Sequence, residues 1–474
     1  MIRRGQAAYR AAGMGLTVLL ILHSDRFLTQ VSGSEAKPKS DVPMTRPEEC
    51  LAVVDGIGRH AGFVELPDGK IMVLQGNKYS LSADGGISWT AAAELRDSAG
   101  KPLTVSDGSL IRLKGGSLGL TGIVFTSREY RRADIYHIAF WRSDDGGKTW
   151  SGPVRVSEPS RHTTGCLALH DSLIRTSSGR IVLPVASGVR HARDPLLWTP
   201  QMSMGLRDNQ LISVGAHDWP QDGFGWCYVY YSDDEGRTWK SSHGGDIFIR
   251  DDKRRMWEMA TEPTVAEVEP GKILMLVRSN LGRLYKSWSL DNGETWTAPT
   301  STSLAASNAP AQLRKIPGTG DLLVVWNQAG EEEIKKGLKR ARLSSAVSRT
   351  NGALWESFQN VESALEGTRV EPGPIFYTVP EEVSYGPTAP APEREARYIT
   401  DLPHSIGRLS YPAVFFYRDR VLIAHSNQHF SDAEGKLVTP GRLRVLPISW
   451  LYGGAKNMKP NPELRSRFPI EFPK

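Results

Sequence analysis

The sequence predicts an all-β fold, a six-bladed β-propeller with four-stranded antiparallel blades. Two recurring patterns carry this reading. The first is the motif S-x-D-x-G-x-(T/S)-W, found as "SADGGISW" from Ser82, "SDDGGKTW" from Ser143, "SDDEGRTW" from Ser232 and "SLDNGETW" from Ser289. A worn copy, "SRTNGALW", begins at Ser348. The second is an apolar run, a tight turn and another apolar run, as in "GFVELPDGKIMVLQ" and "PTVAEVEPGKILMLVR". Self-similarity at the spacing of one supersecondary unit marks a repeat architecture.

Each motif copy follows a β-rich run such as "DIYHIAFWR", "WCYVYY" or "GRLYKSW", where aromatic and β-branched residues favour strands. The Asp accepts hydrogen bonds from the amides of its own turn. Gly supplies backbone freedom, and Trp opens the next strand and packs back over the turn. The motif therefore staples a hairpin, and its carboxylates are structural rather than catalytic.

Joining the two patterns gives strand, tight turn, strand, variable loop, strand, Asp-containing turn, strand. Four antiparallel strands at this spacing make one propeller blade. Counting strand pairs gives blades starting near Arg59, Ser109, Cys166, Glu262, Ala309 and Tyr411. The last blade, "AVFFYRDRVLIAHS" followed by "RLRVLPISW", lacks an Asp-type hairpin and is one strand short. The early segment "CLAVV", Cys50 to Val54, is expected to supply that strand and close the ring.

The flanks read differently. Arg3, Arg4 and Arg10 precede an apolar run from Ala11 to Leu22. That is the pattern of a signal peptide, or of an uncleaved anchor, over residues 1–35. The run is shorter than the roughly 20 residues that span a bilayer. Residues 36–48 read as a solvated linker, 49–455 as the propeller and 456–474 as a tail. A secreted or otherwise extracytoplasmic location follows from that start.

Composition narrows the partners. The chain has 474 residues, a formal charge of +6 and no dense Lys/Arg run, so nucleic acid is not the expected ligand. The mild positive excess suits an anionic substrate. Three cysteines give neither a disulfide framework nor a metal motif, and no metal or organic cofactor is expected.

Blade geometry sorts the polar residues. The tight turns and the Asp-containing turns share one end of the ring. The starts of first strands and the loops between second and third strands share the other, where binding chemistry is expected. On that end lie Arg59, Glu262 and Tyr411 at first-strand starts, Arg278 at a second-strand end and Arg340 in the blade-five loop. A single arginine there means little in a chain with 58 basic residues. Three arginines from separate blades suit a carboxylate, because each guanidinium fork matches two oxygens and stays charged.

These features resemble the sialidase (neuraminidase) superfamily. The hairpins are similar to its Asp boxes, which occur in other propellers too and specify architecture rather than substrate. The segment "EPTVAEVEPGKILMLVRSNLGRLYKSWSLDNGETW" resembles the stretch carrying the Glu that activates the nucleophile and one arginine of the carboxylate-binding triad. The resemblance implies Glu262 and Arg278 for these roles. "RARLSSAVS" resembles the next arginine segment, implying Arg340, with Arg342 as the competing choice. "LSYPAVFF" resembles the segment of the nucleophilic tyrosine, implying Tyr411. A phenol avoids the repulsion that a carboxylate nucleophile meets beside the anomeric carboxylate of sialic acid, and sialidases are an exception to the two-carboxylate scheme.

Two positions depart from the family pattern. Arg59 is followed by "HAGFVEL" rather than Ile-Pro, and the first-blade loop "QGNKY" has no acid where the family keeps its proton donor. Asp134 and Glu129, on the equivalent loop of blade two, are the expected substitutes, with His60 and His162 behind them. The expectation is an exo-α-sialidase-like retaining glycoside hydrolase acting on a terminal acidic sugar, with catalytic Tyr411, Glu262 and Asp134 and substrate-binding Arg59, Arg278 and Arg340. A hydrolase or lyase of another acidic glycan, and a non-catalytic carbohydrate-binding propeller, remain the alternatives.

Overall fold

The computed structural model describes residues 50–127, 135–161, 167–168, 170–190, 204–207, 210–213, 223–242, 246–251, 256–258, 260–279, 281–307, 309–328, 340, 342–363, 408–430, 437–438 and 440–470. The expected signal segment and linker, the substitutes Asp134, Glu129 and His162, and most of the blade-three loop lie outside them.

Six antiparallel sheets form the blades. Their first strands are Ala61–Glu65, Ser106–Arg112, the split pair Leu167–Ala168 and Ile174–Arg175, Thr261–Glu269, Gln312–Lys315 and Arg408–Tyr417. All begin within three residues of the starts expected from the repeats. Blade six takes its outer strand from the beginning of the propeller: Ala52–Asp55 pairs antiparallel with Gly441–Pro447, Ala52 facing Val445. The ring therefore closes on the segment that strand counting proposed.

Side chains that alternate along the strands are buried on both faces, because each sheet lies between two others. Six apolar clusters result, one at each junction between neighbouring blades. Leu74 and Leu120 share the junction of blades one and two, for example, and Val325 and Val421 that of blades five and six. Burial of apolar surface at about 25 cal/mol per Å² is the main favourable term at each junction.

The Asp-containing turns interlock the ring. In the first copy Asp84 Oδ1 accepts from the amides of Ile87 and Ser88 at 3.1 and 2.9 Å, and Ser82 Oγ accepts from the Gly86 amide at 2.8 Å. Burial acts to raise the Asp84 carboxyl, but the Ser88 hydroxyl and amide outweigh it and hold the group down at about 2. The worn copy substitutes a hydroxyl, with Thr350 Oγ1 accepting from the Leu354 amide at 2.7 Å. The turn glycine then tucks under the neighbouring blade. Gly236, at φ +85°, leaves so little room that a Cβ would sit 2.1 Å from a ring carbon of Phe140 in blade two.

A buried ionic cluster ties blade five to the closure. Glu362 accepts from Arg444 Nε at 2.9 Å and from Arg442 Nη1 at 2.9 Å, and lies 2.7 Å from His425 Nε2. Arg442 also donates to Asp55 of the closing strand at 2.8 Å. Burial opposes ionisation of Glu362, yet His425 and Arg444 hold its carboxyl at about 2.

The chain after the last strand is not free of the ring. Arg465, in the short helix Pro462–Ser466, reaches Asp321 at 2.6 Å, and Ile470 packs on the junction of blades four and five. No helix among the described residues is long and apolar enough to cross a membrane.

Candidate active site

The candidate site is built by a kink that recurs in the first strands. Asp107, Glu262 and Tyr411 each sit at a register shift near the start of such a strand, with left-handed φ of 51°, 47° and 56°. Asp171, at φ 50°, sits at the break in blade three's first strand, and His60, at φ 68°, immediately precedes blade one's. Residues with a Cβ are disfavoured at these angles, and such conformations concentrate at functional sites. A bulge re-aims the side chain that it carries. Blade five has Ala309-Pro310 where blades four and six have Glu262-Pro263 and Tyr411-Pro412, so its side chain there is only a methyl.

Tyr411 is the centre of the group. It is 3% exposed, and its hydroxyl donates to Glu262 Oε1 at 2.9 Å. The other oxygen of Glu262 accepts from Arg278 Nη1, and both of these residues are buried. Two more guanidinium groups face the Tyr411 ring, with Arg59 Cζ 4.4 Å and Arg340 Cζ 5.7 Å from its centroid. Burial and the Glu262 carboxylate push the phenol up to about 12, against the opposing pull of Arg278, Arg340 and Arg59. The phenol is therefore protonated at neutral pH, with a carboxylate already in place to receive its hydrogen.

Local structure fixes the arginines. Ahead of Arg59, Gly58 passes so close to Gly441 that a Cβ would lie 2.1 Å from the Gly441 Cα. Arg278 ends the second strand of blade four, opposite Thr261, one residue before Glu262. The Arg340 carbonyl accepts from the Leu409 amide at 2.7 Å, which ties it two residues from Tyr411. Arg342, the competing choice, is buried in the strand Arg342–Ser348 opposite Ser363. Thus Arg59, Arg278, Arg340, Glu262 and Tyr411 come together from blades one, four, five and six.

His60, one of the expected substitute donors, adjoins this group together with Asp107 and His170, which repeat reading did not assign. His60 Nδ1 pairs with Asp107 Oδ1, and the ring centroids of His60 and His170 lie 6.3 and 6.1 Å from that of Tyr411. Burial works to raise the Asp107 carboxyl, but the hydrogen bond and charge of His60 hold it below its ordinary range. Burial, reinforced by His60, pushes His170 down to about 3, so it is neutral at neutral pH. Asp171 faces the axis and is fully employed there. Its carboxylate meets Arg314 at 2.9 Å and the Val414 amide at 3.1 Å, joining blades three, five and six. The signal for Asp107 was its place two residues before Ser109, the position that Glu262 and Tyr411 occupy in "EPTV" and "YPAV".

Ligand-type atoms of His60, Asp107 and His170 lie within 4.8 Å of one another. Two of the three already satisfy each other, and the Arg59 charge acts on both Asp107 and His170. That environment favours handling a proton over holding a cation.

The fold and its five Asp-type turns define a sialidase-like propeller of the BNR-repeat class. The BNR repeat-like domain family matches residues 127–423, more than half the chain, and the chain belongs to that family. No curated protein matches it. Among solved structures it is similar to the Hadza microbial sialidase Hz136, at 17% identity and TM-score 0.49, covering 84% of this chain and 66% of that one. It is also similar to the Trypanosoma rangeli sialidase, at 14% identity and TM-score 0.46, covering 86% and 60%. The NanB sialidase of Streptococcus pneumoniae shows 12% identity and TM-score 0.48, covering 86% and 70%. The chain thus spans less than two thirds of the length of the first two.

Proposed function

We propose that the chain is a retaining glycoside hydrolase that removes a terminal sialic acid, or a closely related acidic sugar, from glycoconjugates. The observation that carries this is the hydrogen-bonded Tyr411–Glu262 couple beneath three guanidinium groups from three blades. The arginines suit the sugar's carboxylate. Tyr411 is the nucleophile and Glu262 the base that takes its proton as the bond to the anomeric carbon forms. Cation–π contact with Arg59 and Arg340 favours the charge that develops on the phenol. Water then releases the sugar with retained configuration.

The test is hydrolysis of 4-methylumbelliferyl sialoside by the purified protein, with Tyr411→Phe as control. Release of fluorophore by the native chain and none by the variant is expected. Labelling with a 2,3-difluorinated sialosyl fluoride adds the mass of the sugar to the peptide containing Tyr411. Equal activity in the two proteins removes Tyr411 from the mechanism.

A second reading is favoured by the histidines beside the phenol and by the acid-free loop Gly76–Asn77 of blade one. In this reading the site is a lyase for a uronate-containing glycan, with arginines neutralising the carboxylate and Tyr411 exchanging protons. It predicts an unsaturated product with new ultraviolet absorbance, and no covalent sugar adduct.

A further inference from the structure

Cleavage by this site needs a proton at the departing oxygen, and Glu262 does not provide it. One oxygen of Glu262 accepts from Tyr411 and the other from Arg278. Of the titratable rings against Tyr411, His170 is only 1% exposed and is kept neutral by its surroundings. Asp171 is bound to Arg314 and the Val414 amide. Among the described residues around Tyr411, the group that remains is the pair His60–Asp107. Its side chains are 32% and 27% exposed, so a substrate can reach it.

We propose that His60, oriented by Asp107, is the proton donor of the site, standing where the first-blade loop lacks an acid. The inference rests on the glycosidase reading above. His60 Nδ1 faces the Asp107 carboxylate, which leaves Nε2 as the ring nitrogen available to substrate. As the phenolic oxygen of Tyr411 bonds to the anomeric carbon, the bond from that carbon to the departing oxygen breaks. The proton on Nε2 goes to the departing oxygen, and the phenol proton goes to Glu262. In the second step neutral His60 accepts a proton from water as that water displaces Tyr411, and Glu262 returns its proton to the phenolate. Atoms and charges balance over the cycle.

Two features separate this pair from an incidental surface contact. Both residues hold left-handed backbone conformations, at φ 68° and 51°, a cost that persists where the surrounding structure enforces it. They also come from different blades and meet on the same side as Tyr411. His60 is faced by Asp107 from blade two, His170 from blade three and Tyr411 from blade six, while its chain neighbour Arg59 lies over the Tyr411 ring. Asp107 acts on the substrate only through His60 and is thus a positioning residue.

The experiment compares two leaving groups. In full-length His60→Gln, turnover of 3′-sialyllactose falls by on the order of 10²–10⁴-fold, the usual worth of a general acid. Turnover of 4-nitrophenyl sialoside, whose leaving group departs without a proton, falls by less than about tenfold. In Asp107→Asn the loss on 3′-sialyllactose again exceeds that on 4-nitrophenyl sialoside by about tenfold or more, a split that a purely structural role does not produce. Equal losses on both substrates, or no loss on sialyllactose, overturn the proposal while leaving the glycosidase reading intact. If His60→Gln does not fold, equal losses on the two substrates in Asp107→Asn overturn it. A folded native chain that cleaves neither sialoside overturns the glycosidase reading, and this inference with it.

Discussion

Tyr411 donates to Glu262 across 2.9 Å although the two stand 149 positions apart in the chain. Each occupies a left-handed kink at the start of its blade's first strand, and each is followed by a proline. The pairing is a product of ring geometry, because blades four and six are not neighbours and meet only across the axis.

The couple makes a sharp kinetic prediction. Glu262→Gln keeps the shape and removes the base, so kcat on an activated sialoside falls by on the order of 10²–10⁴-fold. Tyr411→Phe removes the nucleophile and abolishes covalent labelling. Steady-state kinetics with intact-mass spectrometry reads both. A Glu262→Gln enzyme with native kcat would falsify the assigned base.

Arg340 and Arg342 are told apart by binding. Arg340→Lys keeps the charge but loses the planar fork. KM for the sialoside rises by roughly 10- to 100-fold, in line with a charged hydrogen bond worth about 1.5–3 kcal/mol. Arg342→Lys, within its buried strand, lowers the melting temperature and leaves KM near native. The opposite assignment follows if the KM effects are exchanged.

Glu362 gives a pH signature. Its carboxyl lies at about 2 in the folded protein against an ordinary 4.5, with burial outweighed by His425 and Arg444. A depressed folded value means that this contribution is complete above pH 4.5 and is lost as the pH falls toward 2. Glu362→Gln leaves buried cations unpaired and costs about 3–5 kcal/mol at neutral pH. Denaturant melts at pH 7 and pH 3 test this. A variant that loses as much at pH 3 as at pH 7 rules out the charge as the cause.

The interlocking turns are tested at Gly236. Alanine there meets both a left-handed backbone, at φ +85°, and the ring of Phe140. The variant loses on the order of 1–3 kcal/mol, while kcat per folded molecule stays native. Chemical denaturation beside active-site titration separates the two. Native stability in Gly236→Ala contradicts the packing described for the turn.

Much of the fold was legible because its signals are local. The Asp-type turn is written in eight consecutive residues, and the hydrogen bonds of the Asp84 carboxylate all fall within its own copy. The end-of-ring argument likewise brought Arg59, Glu262, Arg278, Arg340 and Tyr411 to one face. Contacts between blades were not legible. Asp107 was passed over because strand counting began blade two at Ser109, and nothing local in "SDGS" announces a partner on His60. The Asp171 carboxylate was hidden the same way, since its partners Arg314 and Val414 lie 143 and 243 positions away. The expected donor Asp134 lies outside the described residues.

The strand Ala52–Asp55 pairs with a strand from the far end of the propeller. A growing chain therefore makes this seam last, after every other blade has had its chance to assemble. Until then the sheet edge at Gly441–Pro447 and the lone strand Ala52–Asp55 face solvent, and the open edge is a template for a second molecule. Refolding yield is accordingly set by dilution, with high protein concentration favouring chain-to-chain zipping over self-closure.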